Sequence, residues 1–269
     1  MDGIRYEVEN MIGLITLDRT ERKNAFTVEM IHAWAAAVDE AASDDQVRVL
    51  VVTGAGDSFC AGADIKQMGE DADDEKRRAE SRTPITSRRY LTDNVHRVAL
   101  ALDRMQKPSI AAVNGPAIGA GMDMALMCDM RIAGRSARFA EAYIRAGLIP
   151  GNGGCYFLPR IVGLPKALEL LLTGDFVDAE EAHKIGLVNR LVDDGDLMEE
   201  TMKLATKLAN SPPIQVQLTR RTVYESLDMD LRTSLSTVAS HMAVVRTLDD
   251  SIEALNAFRE RRPGNYKGA

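Results

Sequence analysis

One stretch decides how this chain folds: Ser109-Ile-Ala-Ala-Val-Asn-Gly-Pro-Ala-Ile-Gly-Ala-Gly-Met-Asp123, which continues through an apolar run towards Cys128 and on to Ala133. The apolar residues 109–113 predict a short buried strand, and Asn114-Gly115-Pro116 ends it. Residues 119–121 are small, so they let another group approach the backbone closely where an apolar helix begins. The first amide groups of a helix have no internal partner, and the helix dipole favours negative charge at that end. The stretch is therefore a candidate site for a developing oxyanion.

Asp123 falls in the first turn of this predicted helix. In a catalytic interpretation, its carboxylate lies within reach of whatever binds at the helix N-terminus. In a structural interpretation, the small residues only allow close packing of helix on strand, and Asp123 complements the helix dipole. Taken alone, the stretch favours the structural interpretation.

Composition excludes several classes of protein. The chain has 269 residues, of which 45% are hydrophobic and 27% charged, enough for one large core with an appendage. The net charge of -7 argues against a nucleic-acid partner, and no apolar run is long enough to span a membrane. No signal peptide follows Met1. The three cysteines lack metal-ligand spacing, and reduced thiols in a cytosolic protein are the simplest explanation for them. We therefore expect a cytoplasmic protein without a membrane partner.

Common cofactor motifs are missing from the sequence as well. The four histidines are scattered, so they suggest neither a metal site nor a hydrolase triad. Neither a GxxxxGKS/T phosphate loop nor a GxGxxG dinucleotide fingerprint occurs. Neither a metal nor a dinucleotide cofactor is therefore expected.

Strand-like and helix-like segments alternate over the first two thirds of the chain, which predicts the α/β class. From Leu197 the pattern is wholly helical, so we expect a helical appendage at the C-terminus. The predicted strands cover residues 4–8, 11–17, 47–53, 109–113, 130–133 and 187–192. The predicted helices cover residues 27–42, 90–105, 119–128, 156–162, 166–173, 179–184, 197–210, 213–226, 230–247 and 250–260, and another begins at residue 63.

Two segments allow more than one interpretation. Residues 71–89 are highly charged and lack an apolar period, which is typical of a mobile, solvated surface segment. A lid over a substrate is the alternative, because the segment lies between core elements. Residues 139–145 fit either an extended or a helical conformation.

Several further segments occur together with the central stretch and in a fixed order. These are residues 22–26, 58–66, 107–108 leading into 114–121, 128–133, 147–151 with 153–154, 172–174, 179–182 with 186–188, and 258–263. With this set, the chain resembles the crotonase (enoyl-CoA hydratase/isomerase) superfamily along essentially its whole length. One such segment would be a weak signal, whereas all of them in order are highly specific.

The resemblance implies both a fold and an assembly. A crotonase-like spiral of ββα units would occupy residues 1–196 and contain the acyl-CoA site. A C-terminal helical region, residues 197–269, would join subunits into a homotrimer or a dimer of trimers.

The resemblance also implies chemistry shared by the superfamily, in which two backbone N–H groups stabilise the enolate of an acyl-CoA thioester. Carried onto this sequence, these oxyanion-hole donors are the amides of Ala63 and Ala120. Asp123 then becomes the principal acid/base residue. Coenzyme A enters as part of the small-molecule substrate, so no separate cofactor is implied.

The remaining site residues implied by the resemblance bind the CoA thioester. Arg22, Lys23 and Lys66 are the cations expected near the CoA phosphates, although each alone also fits ordinary solvated charge. Phe258 is expected from the tail of a neighbouring subunit. The full set of expected substrate-binding residues is Lys23, Ala25, Ala61, Asp64, Ile65, Lys66, Gly119, Leu148 and Phe258.

The sequence departs from the superfamily at the catalytic pair. Hydratases of the superfamily use two glutamates, which fall at Asp123 and Tyr143 here. A tyrosine has an ordinary pKa near 10, so at neutral pH Tyr143 is a donor rather than a base. Glu141 lies two residues earlier and shares a face with Tyr143 if the segment is extended, but not if it is helical. Asn152 and Tyr156 are further polar candidates near the pocket.

Four interpretations of the activity follow. Asp123 and Glu141 can share acid/base work, with Tyr143 holding a water or a carbonyl, in an enoyl-CoA hydratase or isomerase. Asp123 alone can shuttle a proton, as in a dienoyl-CoA isomerase. Tyr143 can act as a hydrogen-bond donor in a CoA-thioester decarboxylase or hydrolase. A non-catalytic acyl-CoA-binding protein is the fourth interpretation.

Overall fold

The computed structural model describes residues 3–64 and 83–269 and arranges their strands in two sheets. The strands are β1 (Ile4–Glu9), β2 (Ile12–Leu17), β3 (Val49–Gly54), β4 (Ser109–Val113), β5 (Ala117–Ile118), β6 (Met130–Gly134), β7 (Arg138–Ala140), β8 (Val177–Asp178) and β9 (Arg190–Val192). The larger sheet has the order β1-β2-β3-β4-β6-β9, and the smaller sheet has the order β5-β7-β8. In the larger sheet β1 and β2 pair antiparallel, and the other neighbours pair parallel.

Helices connect these strands and then continue alone towards the C-terminus. They are α1 (Val28–Ser43), α2 (Pro84–Tyr90), α3 (His96–Arg104), α4 (Ala120–Leu126), α5 (Gly154–Val162), α6 (Leu164–Thr173), α7 (Ala179–Lys184), α8 (Leu197–Ala209), α9 (Pro213–Ser226), α10 (Leu231–Val245) and α11 (Asp249–Glu260). A wide helical turn, Leu91–Val95, joins α2 to α3. None of the described helices combines the length and the hydropathy needed to cross a membrane.

Both faces of the larger sheet are covered, which explains why its strands are continuously apolar. Successive side chains of a strand point to opposite faces, yet β3 is buried at every position. On one face, Leu50 and Val52 belong to the same hydrophobic cluster as Trp34 of α1. On the other face, Val49 and Val51 belong to a second cluster that includes residues of α8. Parallel strands enclosed in this way require apolar residues at both the odd and the even positions, because both faces of the sheet are buried.

The smaller sheet gathers the segments that contain the predicted site. Isolated bridges place Cys60 beside Ala117 of β5 and Phe26 beside Ala63. A Cβ on Gly121 would lie 2.1 Å from the Cys60 carbonyl oxygen, so only glycine fits at this contact. The contact holds the segment that contains Cys60 against the start of α4.

The α/β class and the helical C-terminal region are confirmed. Thr27 caps α1 as expected, since its hydroxyl oxygen accepts a hydrogen bond from the Met30 N–H. The two-residue strands β5 and β8 were not predicted, because they are too short to show an apolar alternation.

Two predicted boundaries are wrong. Residues 84–89, placed by their charge in a mobile segment, form most of α2, because Thr83 caps that helix and a proline opens it. The last strand begins at Arg190 rather than at residue 187. Residues 65–82 lie outside the described residues; they include most of the predicted lid and the predicted continuation of a helix from residue 63.

Replacing Asn24 by alanine should destabilise the fold. Asn24 is fully buried; its amide nitrogen donates to the carbonyls of Ala55 and Ser58, and its amide oxygen accepts from the Arg19 N–H. Asn24→Ala leaves these groups unpaired, so urea unfolding should show a loss of about 3 kcal/mol. Lys23→Ala is the control, since Lys23 shares the left-handed backbone conformation and its side chain is exposed. Equal losses in the two variants would show that the buried hydrogen bonds contribute nothing.

Candidate active site

The start of α4 offers a backbone amide to a ligand. Gly119 has a φ of 53° and a ψ of -123°, a conformation that favours glycine, and its N–H donates to the Ala140 carbonyl over 2.7 Å. Ala120 is the first residue of the helix, and its N–H has no acceptor among the described residues. This amide is therefore free to bind a ligand.

Ala63 offers a second free amide. Its bridge to Phe26 is made by other donors: the Phe26 N–H donates to the Gly62 carbonyl over 2.9 Å, and the Asp64 N–H donates to the Phe26 carbonyl over 3.2 Å. Within the described part of the chain, the Ala63 N–H has no acceptor. A Cβ on Gly62 would lie 3.5 Å from the Ala120 nitrogen. The structure thus brings the two predicted oxyanion-hole residues together.

Two carboxyl side chains and one tyrosine hydroxyl converge beside Gly119 and the start of α4. Asp123 is fully buried and Glu141 is 1% exposed, and the Tyr143 hydroxyl donates to Asp123 Oδ2 over 2.5 Å. A Cβ on Gly154 would lie 2.5 Å from Asp123 Oδ1 and 2.9 Å from Glu141 Oε1. Glycine at position 154 therefore leaves room for both carboxyls, and the three predicted catalytic residues come together.

The segment around Glu141 combines the two conformations that the sequence allowed. β7 ends at Ala140, a 3₁₀ turn runs over Ala142–Ala146, and Glu141 joins them with φ of -81° and ψ of 65°. This change of direction turns both the Glu141 carboxyl and the Tyr143 hydroxyl towards Asp123. Neither regular conformation alone predicts that arrangement.

Burial separates the pKa values of the two carboxyls. Desolvation raises the pKa of Asp123 to about 6, and the hydrogen bond from Tyr143 offsets part of that rise. Desolvation, followed by the Asp123 charge, raises the pKa of Glu141 well above neutral. The same two causes raise the pKa of the Tyr143 hydroxyl, which stays a donor. At pH 7 the site therefore holds one carboxylate and one carboxylic acid, as acid/base catalysis requires.

The loop that follows Tyr143 is fixed at its far end. His96 Nε2 of α3 lies 3.0 Å from the Gly151 carbonyl oxygen, and Asn152 next to it is 1% exposed. The contact of His96 with this loop was not predicted from the sequence. The part played by Gly154 was also missed, although a glycine pair at a helix start was a usable signal for a close approach.

Two of the predicted CoA-binding segments are joined directly. The Ala61 N–H donates to the Lys23 carbonyl over 3.0 Å. The Lys23 ammonium forms an exposed ion pair with Asp57 at 2.7 Å. Asp64, 9% exposed, pairs with the Arg19 guanidinium at 2.7 Å. These contacts hold the two predicted segments against each other next to residue 63.

The other predicted substrate-binding residues differ in their surroundings. Ala25 is buried, and Leu148 is half exposed on the loop that follows the 3₁₀ turn. Phe258 is 84% exposed on α11, so its predicted contact depends on a neighbouring subunit. Ile65 and Lys66 lie outside the described residues.

Two free backbone donors next to a carboxylate and a neutral acid define the chemistry open to this site. The two backbone donors can stabilise negative charge on a carbonyl oxygen, while the two carboxyl groups move protons at neighbouring carbons. No group of three or more His, Cys, Asp and Glu within residues 3–64 and 83–269 is placed to hold a metal ion. Fold and site together have the features of an acid/base enzyme that acts on a carbonyl compound.

Comparisons with known proteins agree with this class. The family model described as enoyl-CoA hydratase/isomerase matches residues 7–269. A short-chain-enoyl-CoA hydratase of Clostridium acetobutylicum is 32% identical over 97% of this chain and 96% of its own. A 1,2-epoxyphenylacetyl-CoA isomerase of Escherichia coli is 34% identical over 100% and 99%. A crystal structure of an enoyl-CoA hydratase from Bacillus anthracis matches with a TM-score of 0.89 and 31% identity, covering 99% of this chain and 100% of that one.

The chain belongs to the enoyl-CoA hydratase/isomerase family, as its sequence motifs predicted. It is thus an enzyme of a family that acts on acyl-CoA thioesters.

Replacing Glu141 by glutamine should change how stability depends on pH. The folded state keeps Glu141 protonated above neutral pH, whereas the unfolded chain releases that proton from about pH 4.3 upward. The unfolded state then binds fewer protons, so the free energy of unfolding falls as pH rises. Between about pH 6.5 and about pH 8, the wild type should lose about 1.4 kcal/mol per pH unit.

Chemical denaturation at a series of pH values measures this slope. Glu141→Gln should flatten it, because glutamine does not titrate. The control is Glu9→Gln, since Glu9 is exposed at the end of β1 and should leave the wild-type slope intact. Identical slopes in the wild type and Glu141→Gln would mean that the folded protein does not hold this proton.

Proposed function

We propose that this protein hydrates an enoyl-CoA thioester, with double-bond isomerisation as a related activity of the same site. The observation that carries this proposal is the convergence of a carboxylate, Asp123, and a neutral acid, Glu141, on the space left by Gly154. A carboxylate can take a proton and a neutral acid can supply one, and each reaction needs both steps.

In hydration, Asp123 takes a proton from a water molecule while the water oxygen bonds to the β-carbon of the enoyl group. The double-bond electrons move towards the thioester carbonyl and form an enolate. Glu141 then gives its proton to the α-carbon, so that one water is added across the double bond. Proton transfer from Asp123 to Glu141, which face the same glycine, restores the starting state.

The free amides of Ala63 and Ala120 are proposed to bind the thioester oxygen. Negative charge develops on this oxygen in the enolate, so donors fixed in place stabilise the transition state more than the substrate. The absence of an acceptor for either amide within the described residues supports this role. Loss of one donor of this kind costs about 3 kcal/mol in the transition state.

We assign the CoA part of the substrate to the residues that the sequence predicted. The hydrogen bond from Ala61 to Lys23 supports a shared role for their two segments. Coenzyme A arrives as part of the substrate, and the reaction uses no further cofactor. The assigned residues are Lys23, Ala25, Ala61, Asp64, Ile65, Lys66, Gly119 and Leu148, with Phe258 contributed by a neighbouring subunit.

The C-terminal helices support a homotrimer or a dimer of trimers. In the described range 83–269, no residue of α9 or α10 is buried. Exposed apolar surface of this extent is typical of subunit contacts. The division into a spiral core, residues 1–196, and a helical trimerisation region, residues 197–269, stays a prediction, as does a cytoplasmic location. The large apolar side chains exposed on α9 and α10 are Val223, Tyr224, Leu231, Leu235, Val238, Met242 and Val244.

Other activities of the same superfamily make different demands on Tyr143. A decarboxylase or thioester hydrolase would use its hydroxyl as a donor to the substrate. That hydroxyl already donates to Asp123, which favours acid/base work by Asp123 instead. A dienoyl-CoA isomerase would need Asp123 alone to shuttle a proton. A non-catalytic acyl-CoA-binding protein would need no proton transfer by Asp123 and no donation by Tyr143.

Mass spectrometry of the reaction products tests the proposal. The wild type should add one water to an enoyl-CoA, and Asp123→Asn should lower kcat by about 100- to 10,000-fold while acyl-CoA binding survives. Asp123→Asn is matched in shape, so a loss of activity reports the lost base. A shifted double bond without added water in deuterated solvent would select the isomerase. Loss of carbon dioxide, release of CoA, or binding without turnover would each reject acid/base work on an enoyl group.

Replacing Tyr143 by phenylalanine should move the acidic limb of the pH–rate profile upward. The Tyr143 hydrogen bond lowers the pKa of Asp123, whose value is about 6, so its loss lets that pKa rise. The base form of Asp123 then disappears at a higher pH, and kcat/KM against pH should show the shift. Tyr156→Phe is the control, because the Tyr156 ring is exposed under the Arg160 guanidinium. If the acidic limb of Tyr143→Phe stays at the wild-type pH, the Tyr143 hydroxyl does not influence the pKa of Asp123.

A further inference from the structure

Buried polar atoms without partners concentrate at one place in this protein. Of the eight such side-chain atoms in the described part of the chain, five belong to Asp123, Glu141 and Asn152. The protonated carboxyl of Glu141 can donate to Asp123, and two backbone N–H groups face the Asp123 carboxylate, so the Asn152 amide is the group left without a partner among the described residues. Asn152 contributes both its amide nitrogen and its amide oxygen, and it is only 1% exposed. Folded proteins pair nearly all buried polar groups, so a cluster of unpaired ones indicates a missing ligand or water.

The acid/base reaction accounts for only part of this cluster. The carboxyl oxygens of Asp123 and Glu141 bind the water and exchange protons in the proposed hydration. Asn152 does not titrate and has no part in those steps. Its unpaired donor and acceptor therefore call for a different partner.

Asn152 is held close to the reacting groups. Its backbone N–H and that of Gly154 face the Asp123 carboxylate, and the carbonyl of the preceding Gly151 lies 3.0 Å from His96 Nε2. The side chain is thus buried in a loop that is fixed on both sides. Asn152 therefore lies next to the carboxylate that is proposed to act on the substrate.

The chemistry of the amide selects the partner. An amide offers two donors and an acceptor, and a hydroxyl both donates and accepts, so a hydroxyl can pair with both of its ends. An alkyl chain would leave both ends unpaired. A carboxylate would use only the amide donors and would lie near the negative charge of Asp123.

We propose that Asn152 is a specificity residue that binds a hydroxyl on the acyl chain of the substrate, so that the enzyme prefers a hydroxylated enoyl-CoA over a plain alkyl one. The proposal deepens the proposed function and rests on it for the identity of the thioester. A site built to hydrogen-bond a substrate hydroxyl discriminates strongly against an analogue that lacks it.

Four substrates of equal chain length test this proposal: trans-2-hexenoyl-CoA and its 4-, 5- and 6-hydroxy derivatives. For at least one derivative the wild type should show a kcat/KM at least about tenfold above that of hexenoyl-CoA. Asn152→Leu, similar in size, should abolish the preference, so that kcat/KM for the hydroxylated substrate falls to about that for hexenoyl-CoA. Asn152→Ser provides a second variant that keeps a donor and an acceptor, and it should retain part of the preference.

Dissociation constants for hexanoyl-CoA and the 4-, 5- and 6-hydroxyhexanoyl-CoAs, measured by calorimetry, separate this proposal from the proposed function. If no enoyl-CoA is turned over, but a hydroxyl strengthens binding in the wild type and not in Asn152→Leu, the proposed reaction fails and the hydroxyl site stands. Equal kcat/KM for all four enoyl-CoAs would overturn the hydroxyl site, since water alone then fills it. An equal fall for all four in Asn152→Leu would also overturn it and make Asn152 a residue that positions the carboxyls.

Discussion

The close approach of Gly121 to the Cys60 carbonyl is the contact on which the site depends. A Cβ at this position would lie 2.1 Å from the oxygen, so any other residue would push the two segments apart. This contact joins the bridge at Cys60 and Ala117 to the first turn of α4. It therefore helps to set the distance between the free amides of Ala63 and Ala120, and Asp123 lies on the same turn of α4.

A second glycine allows the carboxyls to be buried together. Gly154 opens α5, and both carboxyls occupy the space that a side chain there would take. Two carboxyls so enclosed cannot both ionise readily, so one of them keeps its proton. The hydrogen bond from Tyr143 and the backbone N–H groups of Asn152 and Gly154 favour the ionised form of Asp123. The difference between base and acid thus arises because Asp123 receives these hydrogen bonds, whereas burial and the Asp123 charge keep the proton on Glu141.

The sequence predicts what depends on local pattern. Apolar runs locate the parallel strands of the larger sheet, and the order of motifs identifies the family. The position of Glu141 could not be predicted, because its orientation follows from a break between β7 and a 3₁₀ turn that no periodicity reveals. The contact of His96 with the loop at Gly151 joins residues 55 positions apart, and only the packed structure brings them together.

The unpaired polar atoms around Asn152 follow from the same arrangement. A fold selected only for stability would fill this space with apolar side chains or pair every polar atom, because unsatisfied buried groups destabilise the native state. The family architecture tolerates the loss, since the two covered faces of the sheet supply an extensive core. Unpaired polar atoms beside the reacting groups can contribute binding energy, because a ligand that supplies the missing partners forms hydrogen bonds that are absent from the free protein.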